Sequence, residues 1–228
     1  MNVRRTLNVV RTLISILVLI IPVATLAPGP AGSADGTPIT IVAIGDSLIA
    51  GFGVRANESF PAQLQMALQA KGHKVEIINA GVSGDTTAGG LMRLEWALQP
   101  RPDGVILELG ANDALRGVDP SKPRDNLDKM LEILKAKGVE VLLAGMKAPQ
   151  NWGPDYARKF DAIYPDLAAK YQVALYPFFL DGVVLDPTLV QTDGLHPTAA
   201  GVGKIVERML PDVEALIARI ARRKTAGQ

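Results

Sequence analysis

The chain has 228 residues, 48% of them hydrophobic, which is enough to build one substantial core and makes disorder a poor description. Its formal net charge is +1, and setting aside residues 1–34, which hold Arg4, Arg5, Arg11 and no acid, leaves 21 basic against 23 acidic residues and a charge of −2. A near-neutral balance gives no electrostatic reason to bind nucleic acid or an anionic membrane, and the absence of cysteine excludes disulfides, thiolate chemistry and cysteine-based zinc sites.

Residues 1–34 read as a secretory signal peptide. The basic start is followed by an uncharged Leu/Ile/Val-rich run over 12–27 and then by small residues ending at Ala34. The rival reading, an uncleaved anchor, is weakened by Pro22 inside a run of modest length. Arg4-Arg5 matches a twin-arginine export signal poorly. The expected location is therefore exported, periplasmic or secreted, with a single domain over 35–228.

From Asp35 onward the pattern alternates between strand and helix. Strands are predicted at 39–44, 75–79, 104–109, 139–145 and 173–176. Helices are predicted at 59–70, 87–98 and 121–137. The last of these has Pro123 near its start and Gly138 just past its end. Further helices are expected over 154–171, split or kinked by Pro165, and over 197–222, broken at Pro211. Five strands each followed by a helix predict an α/β fold with a parallel sheet covered on both faces.

Four strand ends carry chemistry-bearing residues. The first strand runs into Gly45-Asp46-Ser47-Leu48, which delivers a hydroxyl to the rim of a sheet, where α/β ligand sites lie. The second ends in Asn79-Ala80-Gly81-Val82-Ser83-Gly84-Asp85-Thr86. There Gly81 allows a backbone N–H to approach a substrate oxygen, although a plain strand-to-helix turn reads the same way. The third ends in Glu108-Leu109-Gly110-Ala111-Asn112-Asp113. An amide at Asn112 can donate to a developing oxyanion, or form an ordinary Asx turn. After the fifth comes Gln191-Thr192-Asp193-Gly194-Leu195-His196-Pro197. Asp193 and His196 are three apart, so the carboxylate can fix the tautomer of a base for Ser47; equally, Asp193 can cap the last helix. The other histidine, His73, lies between Gly72 and Lys74 in what reads as a solvated turn. Asp46 is expected to organise its turn rather than to move protons.

Two other motifs are set aside. Gly51-Phe52-Gly53-Val54-Arg55-Ala56 fits a loose dinucleotide fingerprint but lies too far beyond the strand to cradle a phosphate. The G-x-S-x-G elbow is absent, because Ile49 stands two residues after Ser47.

Gly45-Asp46-Ser47-Leu48, Gly81, Gly110-x-Asn112-Asp113 and Asp193-x-x-His196 together resemble the four blocks of the SGNH (GDSL) hydrolase family, across nearly the whole mature domain. Gly51-Phe52-Gly53, the stretch from Ala148 to Gly153 with Tyr156, Ile163-Tyr164-Pro165 and Tyr176-Pro177-Phe178-Phe179 resemble its bacterial periplasmic arylesterase, thioesterase I and lysophospholipase branch. The resemblance implies a three-layer α/β/α sandwich with a five-stranded parallel sheet. It implies Ser47 as nucleophile, His196 as base, Asp193 as orienter, and an oxyanion hole from the N–H groups of Ser47 and Gly81 and the Asn112 amide. It implies no metal and no cofactor. The expected activity is hydrolysis of carboxylic esters and thioesters, among them aryl esters, short-to-medium acyl esters and lysophospholipids. Pro149, Trp152, Gly153 and Tyr156 are expected to form a wall of the acyl site, with Gly153 allowing the loop to move. The alternatives are an O-deacetylase acting on a glycan, against which the 5% aromatic content speaks, and a non-catalytic ligand-binding protein of the same fold.

Overall fold

The computed structural model describes residues 37–226. The expected export segment, residues 1–34, lies outside the described residues. In chain order the elements are β1 (Ile39–Gly45), α1 (Ser47–Ala50), α2 (Phe60–Ala70), β2 (Val75–Gly81), α3 (Thr87–Ala97), β3 (Gly104–Glu108) and α4 (Ala111–Leu115). They continue with α5 (Ser121–Ala136), β4 (Glu140–Ala144), α6 (Pro154–Asp161), α7 (Ile163–Tyr171), β5 (Ala174–Tyr176) and α8 (Ala199–Ala226).

The five strands form one parallel sheet in the order β2-β1-β3-β4-β5. Helices α2 and α8 pack together on one face, and α3, α5 and α7 on the other, giving the expected three-layer sandwich. Both faces are covered, so the central strands β1 and β3 are largely apolar without alternation, whereas the edge strand β2 alternates. Ile41, Val42, Ala43 and Ile44 on β1 and Val105, Ile106 and Leu107 on β3 are all fully buried. The chain leaves β1 toward β2 on one side and β3 on the other. The carboxyl ends of β1 and β3 therefore flank the crevice where the winding reverses, which is where such sheets hold ligands. Ser47 follows β1 and Asn112 follows β3.

Strand ends agree with the sequence reading to within two residues. The helix predicted over 154–171 is two helices separated at Ala162, three residues before Pro165, which sits in the first turn of α7, where its missing N–H costs nothing. The break expected at Pro211 does not occur; α8 runs through it. Pro211 and Glu207, whose carbonyl loses its partner, both lie on the exposed face, where water replaces the lost bond. The short helices α1 and α4, one turn each, were not legible as periodic patterns. Both sit at the crevice. No helix among the described residues is long and apolar enough to cross a membrane.

Candidate active site

Ser47 opens α1 directly after the strand. Asp46 caps that turn, its Oδ1 accepting the Leu48 N–H at 3.0 Å. Two residues of the loop between β5 and α8 complete a line of hydrogen bonds. His196 Nε2 lies 2.8 Å from Ser47 Oγ, and His196 Nδ1 lies 2.7 Å from Asp193 Oδ2. In this arrangement Nδ1–H donates to the carboxylate, and Nε2 is left to accept the serine proton. The other oxygen of Asp193 accepts the backbone N–H groups of Leu195 (2.9 Å) and His196 (3.0 Å). Those two bonds, and then the His196 side chain, lower the Asp193 pKa to about 2. The His196 ring is braced from outside by Phe52, whose centroid is 4.6 Å away. Gln191 ties the two loops together. Its Nε2 donates to the carbonyls of Phe52 (2.8 Å) and Pro197 (2.9 Å), and its backbone N–H to that of His196 (2.7 Å).

Asn112 stands in α4 and donates through Nδ2 to Asp46 Oδ2 at 3.1 Å. A carboxamide has two N–H donors, so one anchors the side chain and the second remains for a ligand. Its neighbour Asp113 is buried and points away, accepting the N–H and hydroxyl of Thr87, each at 2.8 Å, so that α4 is tied to the start of α3. Beneath Asp46 lies Glu108, fully buried, with Oε2 accepting the Asp46 N–H at 3.3 Å and Oε1 without a hydrogen-bond partner. Burial, then the nearby Asp46 charge, raises the Glu108 pKa well above the usual carboxylate range; a neutral carboxyl avoids the cost of a buried charge. Burial also lifts Asp46 to about 6 against the opposing pull of Leu48 and Asn112.

The strand ends themselves are clasped by Arg93 on α3. Its guanidinium donates to the carbonyls of Gly45 (2.9 Å) and Ala80 (2.7 Å) and to Asp85 (2.7 Å). One planar fork thus fixes the exits of β1 and β2 relative to each other.

Two expectations are corrected here. The Gly81 N–H donates to Asn79 Oδ1 at 2.9 Å, so it is spent. Gly81 is small because a Cβ there would come within 2.2 Å of the Ala50 backbone nitrogen. In the same turn the backbone N–H groups of Ser83 and Gly84 have no acceptor among the described residues. The second correction concerns the wall of the acyl site. An apolar cavity of about 360 Å³ opens beside Ser47 and His196, and Pro149 lines it, but Trp152, Gly153 and Tyr156 do not. The polar tips of Trp152 and Tyr156 are engaged instead with the α4 segment, at Ala114 O (2.8 Å) and Val118 O (2.9 Å). The rest of the wall comes from Met146, Lys147 and Ala148, in the segment after β4 that was expected there, from Phe178, and from Leu115, Leu180 and Val184, which the sequence did not mark. Arg93, Glu108, Phe52 and Gln191 were also missed as site residues. Phe52 carried a signal as the middle of Gly51-Phe52-Gly53, and Glu108 and Gln191 only as the first residues of two strand-end stretches; Arg93 carried none.

Comparison with known proteins shows the family of the chain. The model of the GDSL-like Lipase/Acylhydrolase family matches residues 43–203. An arylesterase of Vibrio mimicus is 44% identical over 158 residues, covering 69% of this chain and 79% of that protein. A protein of Escherichia coli K12 named thioesterase 1/protease 1/lysophospholipase L1 is 39% identical over 179 residues, covering 78% of this chain and 85% of its own length. The crystal structure of AlinE4, a SGNH-hydrolase family esterase, superimposes with a TM-score of 0.68 at 50% identity, covering 78% of this chain and 96% of that one.

Proposed function

The chain belongs to the GDSL-like lipase/acylhydrolase family and is a serine esterase acting on small-molecule esters, and from that premise we propose that Ser47, His196 and Asp193 are its catalytic residues. The observation that carries this assignment is the unbroken line from Ser47 Oγ through both nitrogens of His196 to Asp193, 2.8 and 2.7 Å long.

In the proposed reaction His196 Nε2 takes the proton of Ser47 as Oγ bonds to the acyl carbon. Asp193, ionised far below neutrality, stabilises the imidazolium that forms. Charge collects on the former carbonyl oxygen. The donors available to it are the Ser47 N–H, the second N–H of the Asn112 amide and, in place of the expected Gly81, a backbone N–H of Ser83 or Gly84. The tetrahedral centre collapses, the bond to the leaving oxygen or sulfur breaks, and His196 returns the proton to that group. Water then repeats the sequence on the acyl-Ser47 ester, with His196 again as base, and releases the acid.

The apolar cavity supports an acyl chain rather than a sugar as the group held beside Ser47. Aryl esters, thioesters and lysophospholipids, by the names of the relatives, are the substrates to try first. Export is proposed on the sequence of residues 1–34 alone.

The test is Ser47→Ala against p-nitrophenyl butyrate, paired with a fluorophosphonate probe and mass spectrometry of the labelled peptide. We expect kcat to fall by at least about 10³-fold and the label to sit on Ser47. A variant that turns over at the wild-type rate ends the assignment.

A further inference from the structure

Helix α4 has only five residues and carries the proposed oxyanion donor Asn112, together with Ala114 and Leu115 of the acyl cavity. So short a helix has little internal hydrogen bonding to hold its place. The carbonyls of Asn112, Asp113 and Ala114 accept the backbone N–H groups of Arg116, Val118 and Gly117, and three aromatic side chains tie the segment to the body of the protein from outside. Tyr164 Oη donates to Leu109 O (3.0 Å), just before the helix. Trp152 Nε1 donates to Ala114 O (2.8 Å), within it, and Tyr156 Oη donates to Val118 O (2.9 Å), just after it.

These side chains are not independent. Trp152, Tyr156, Phe160 and Tyr164 are spaced four apart and form a ladder of ring contacts, tilted, stacked and edge-to-face in turn, with centroid separations of 6.2, 6.1 and 5.9 Å. Tyr164 and Phe160 are fully buried and anchor its inner end. The segment is shaped to receive the ladder. Gly110 (φ +123°) and Gly117 (φ +63°) flank α4. A Cβ on Gly110 would come 2.2 Å from Tyr164 Oη, and one on Gly117 would come 2.7 Å from the Trp152 ring. Side chains at either position would be strained by backbone and blocked by the aromatics.

We propose that Trp152, Tyr156 and Tyr164 are positioning residues that fix the Asn112-bearing segment, so that oxyanion stabilisation depends on the Trp152 N–H···O=C Ala114 bond. This rests on the reading of Asn112 as an oxyanion donor. None of the three touches the acyl cavity, so their effect runs through α4 and belongs to kcat. A donor displaced by a fraction of an ångström still admits substrate but meets the transition state poorly.

The experiment compares Trp152→Phe, which keeps a ring and deletes the N–H, with Tyr156→Phe, which deletes only a hydroxyl. Each is measured for kcat, KM, and inhibition by an alkyl trifluoromethyl ketone, which forms a tetrahedral adduct, and by the product acid, which does not. We expect kcat to fall about three- to tenfold in Trp152→Phe, the effect of one lost hydrogen bond, and less in Tyr156→Phe. Affinity for the ketone falls in the same proportion, while KM and affinity for the acid stay within about twofold. In an Asn112→Ala background Trp152→Phe adds no further loss. Unchanged kcat, or a fall in kcat without loss of ketone affinity, overturns the clamp in either variant. An Asn112→Ala enzyme with wild-type kcat overturns instead the oxyanion reading beneath it.

Discussion

Asp46 Oδ2 accepts a hydrogen bond from Asn112 Nδ2 at 3.1 Å, so the residue preceding the proposed nucleophile holds the amide of the proposed oxyanion hole. The same carboxylate caps the nucleophile's own turn through Oδ1. One side chain thereby sets the distance between the attacking group and the group that stabilises the product of attack.

Asp46→Asn tests that double role. The new side chain has a single carbonyl oxygen. If it serves Leu48, its NH2 faces the NH2 of Asn112 and pushes that donor away. We expect kcat to fall about 10- to 100-fold with KM little changed. The native residue carries its own pH dependence. With its pKa raised to about 6 by burial, Asp46 gains a proton as the pH falls through that value and becomes a weaker, neutral acceptor for Asn112. Binding of the trifluoromethyl ketone, followed from pH 8 down to pH 5, then weakens on the acid side; wild-type kcat in Asp46→Asn would show the contact to be incidental.

Glu108→Gln probes the buried carboxyl below. The folded-state pKa of Glu108 is raised above its unfolded value of 4.5, so the native protein holds a proton that the unfolded chain releases. The stability this proton supports is fully present below about pH 4.5 and declines as the pH rises toward the folded value. Glutamine is neutral at every pH. Melting curves from pH 5 to 9 should show a flatter decline for Glu108→Gln than for wild type, with kcat at pH 7 within about twofold. A steeper decline in the variant contradicts a neutral Glu108.

Asp193→Asn addresses the orienting carboxylate. Asparagine accepts through one oxygen and cannot compensate the imidazolium charge. We expect kcat to fall about 10²- to 10⁴-fold. Because two backbone N–H groups and His196 keep the Asp193 pKa near 2, protonation of Asp193 contributes nothing to the wild-type pH profile above about pH 3. An acid limb that vanishes in Asp193→Asn would contradict this.

The cavity predicts a chain-length series. Each methylene that enters it contributes about 0.8 kcal/mol, roughly fourfold in kcat/KM. Activity on p-nitrophenyl esters should therefore climb from acetate through butyrate to hexanoate. Val184→Trp, at the half-exposed edge of the cavity, should move the optimum to shorter chains. A preference for acetate over butyrate in wild type would favour the deacetylase reading instead.

Much of this protein was legible before its structure. Runs 39–44 and 104–109, apolar but for Thr40 and Glu108 and each closed by glycine, mark buried strands, because parallel strands covered on both faces show no regular polar alternation. Asp193 and His196 were readable as a pair because their contact is local, set by a turn of three residues. The polar endings of four strands were readable as one site because a parallel sheet brings its carboxyl ends together.

What the tertiary structure decided is where each polar tip finds its partner. Ser47 and His196 are 149 residues apart. Trp152, expected against substrate, spends its N–H on Ala114, and the Gly81 N–H is taken by Asn79. Glu108, an ordinary acid in the chain, has its pKa raised by burial under the sheet and by the nearby Asp46 charge. Periodicity and turn residues encode elements over a few positions. A buried donor or acceptor answers to whatever distant packing sets within 3 Å of it, and no local pattern records that.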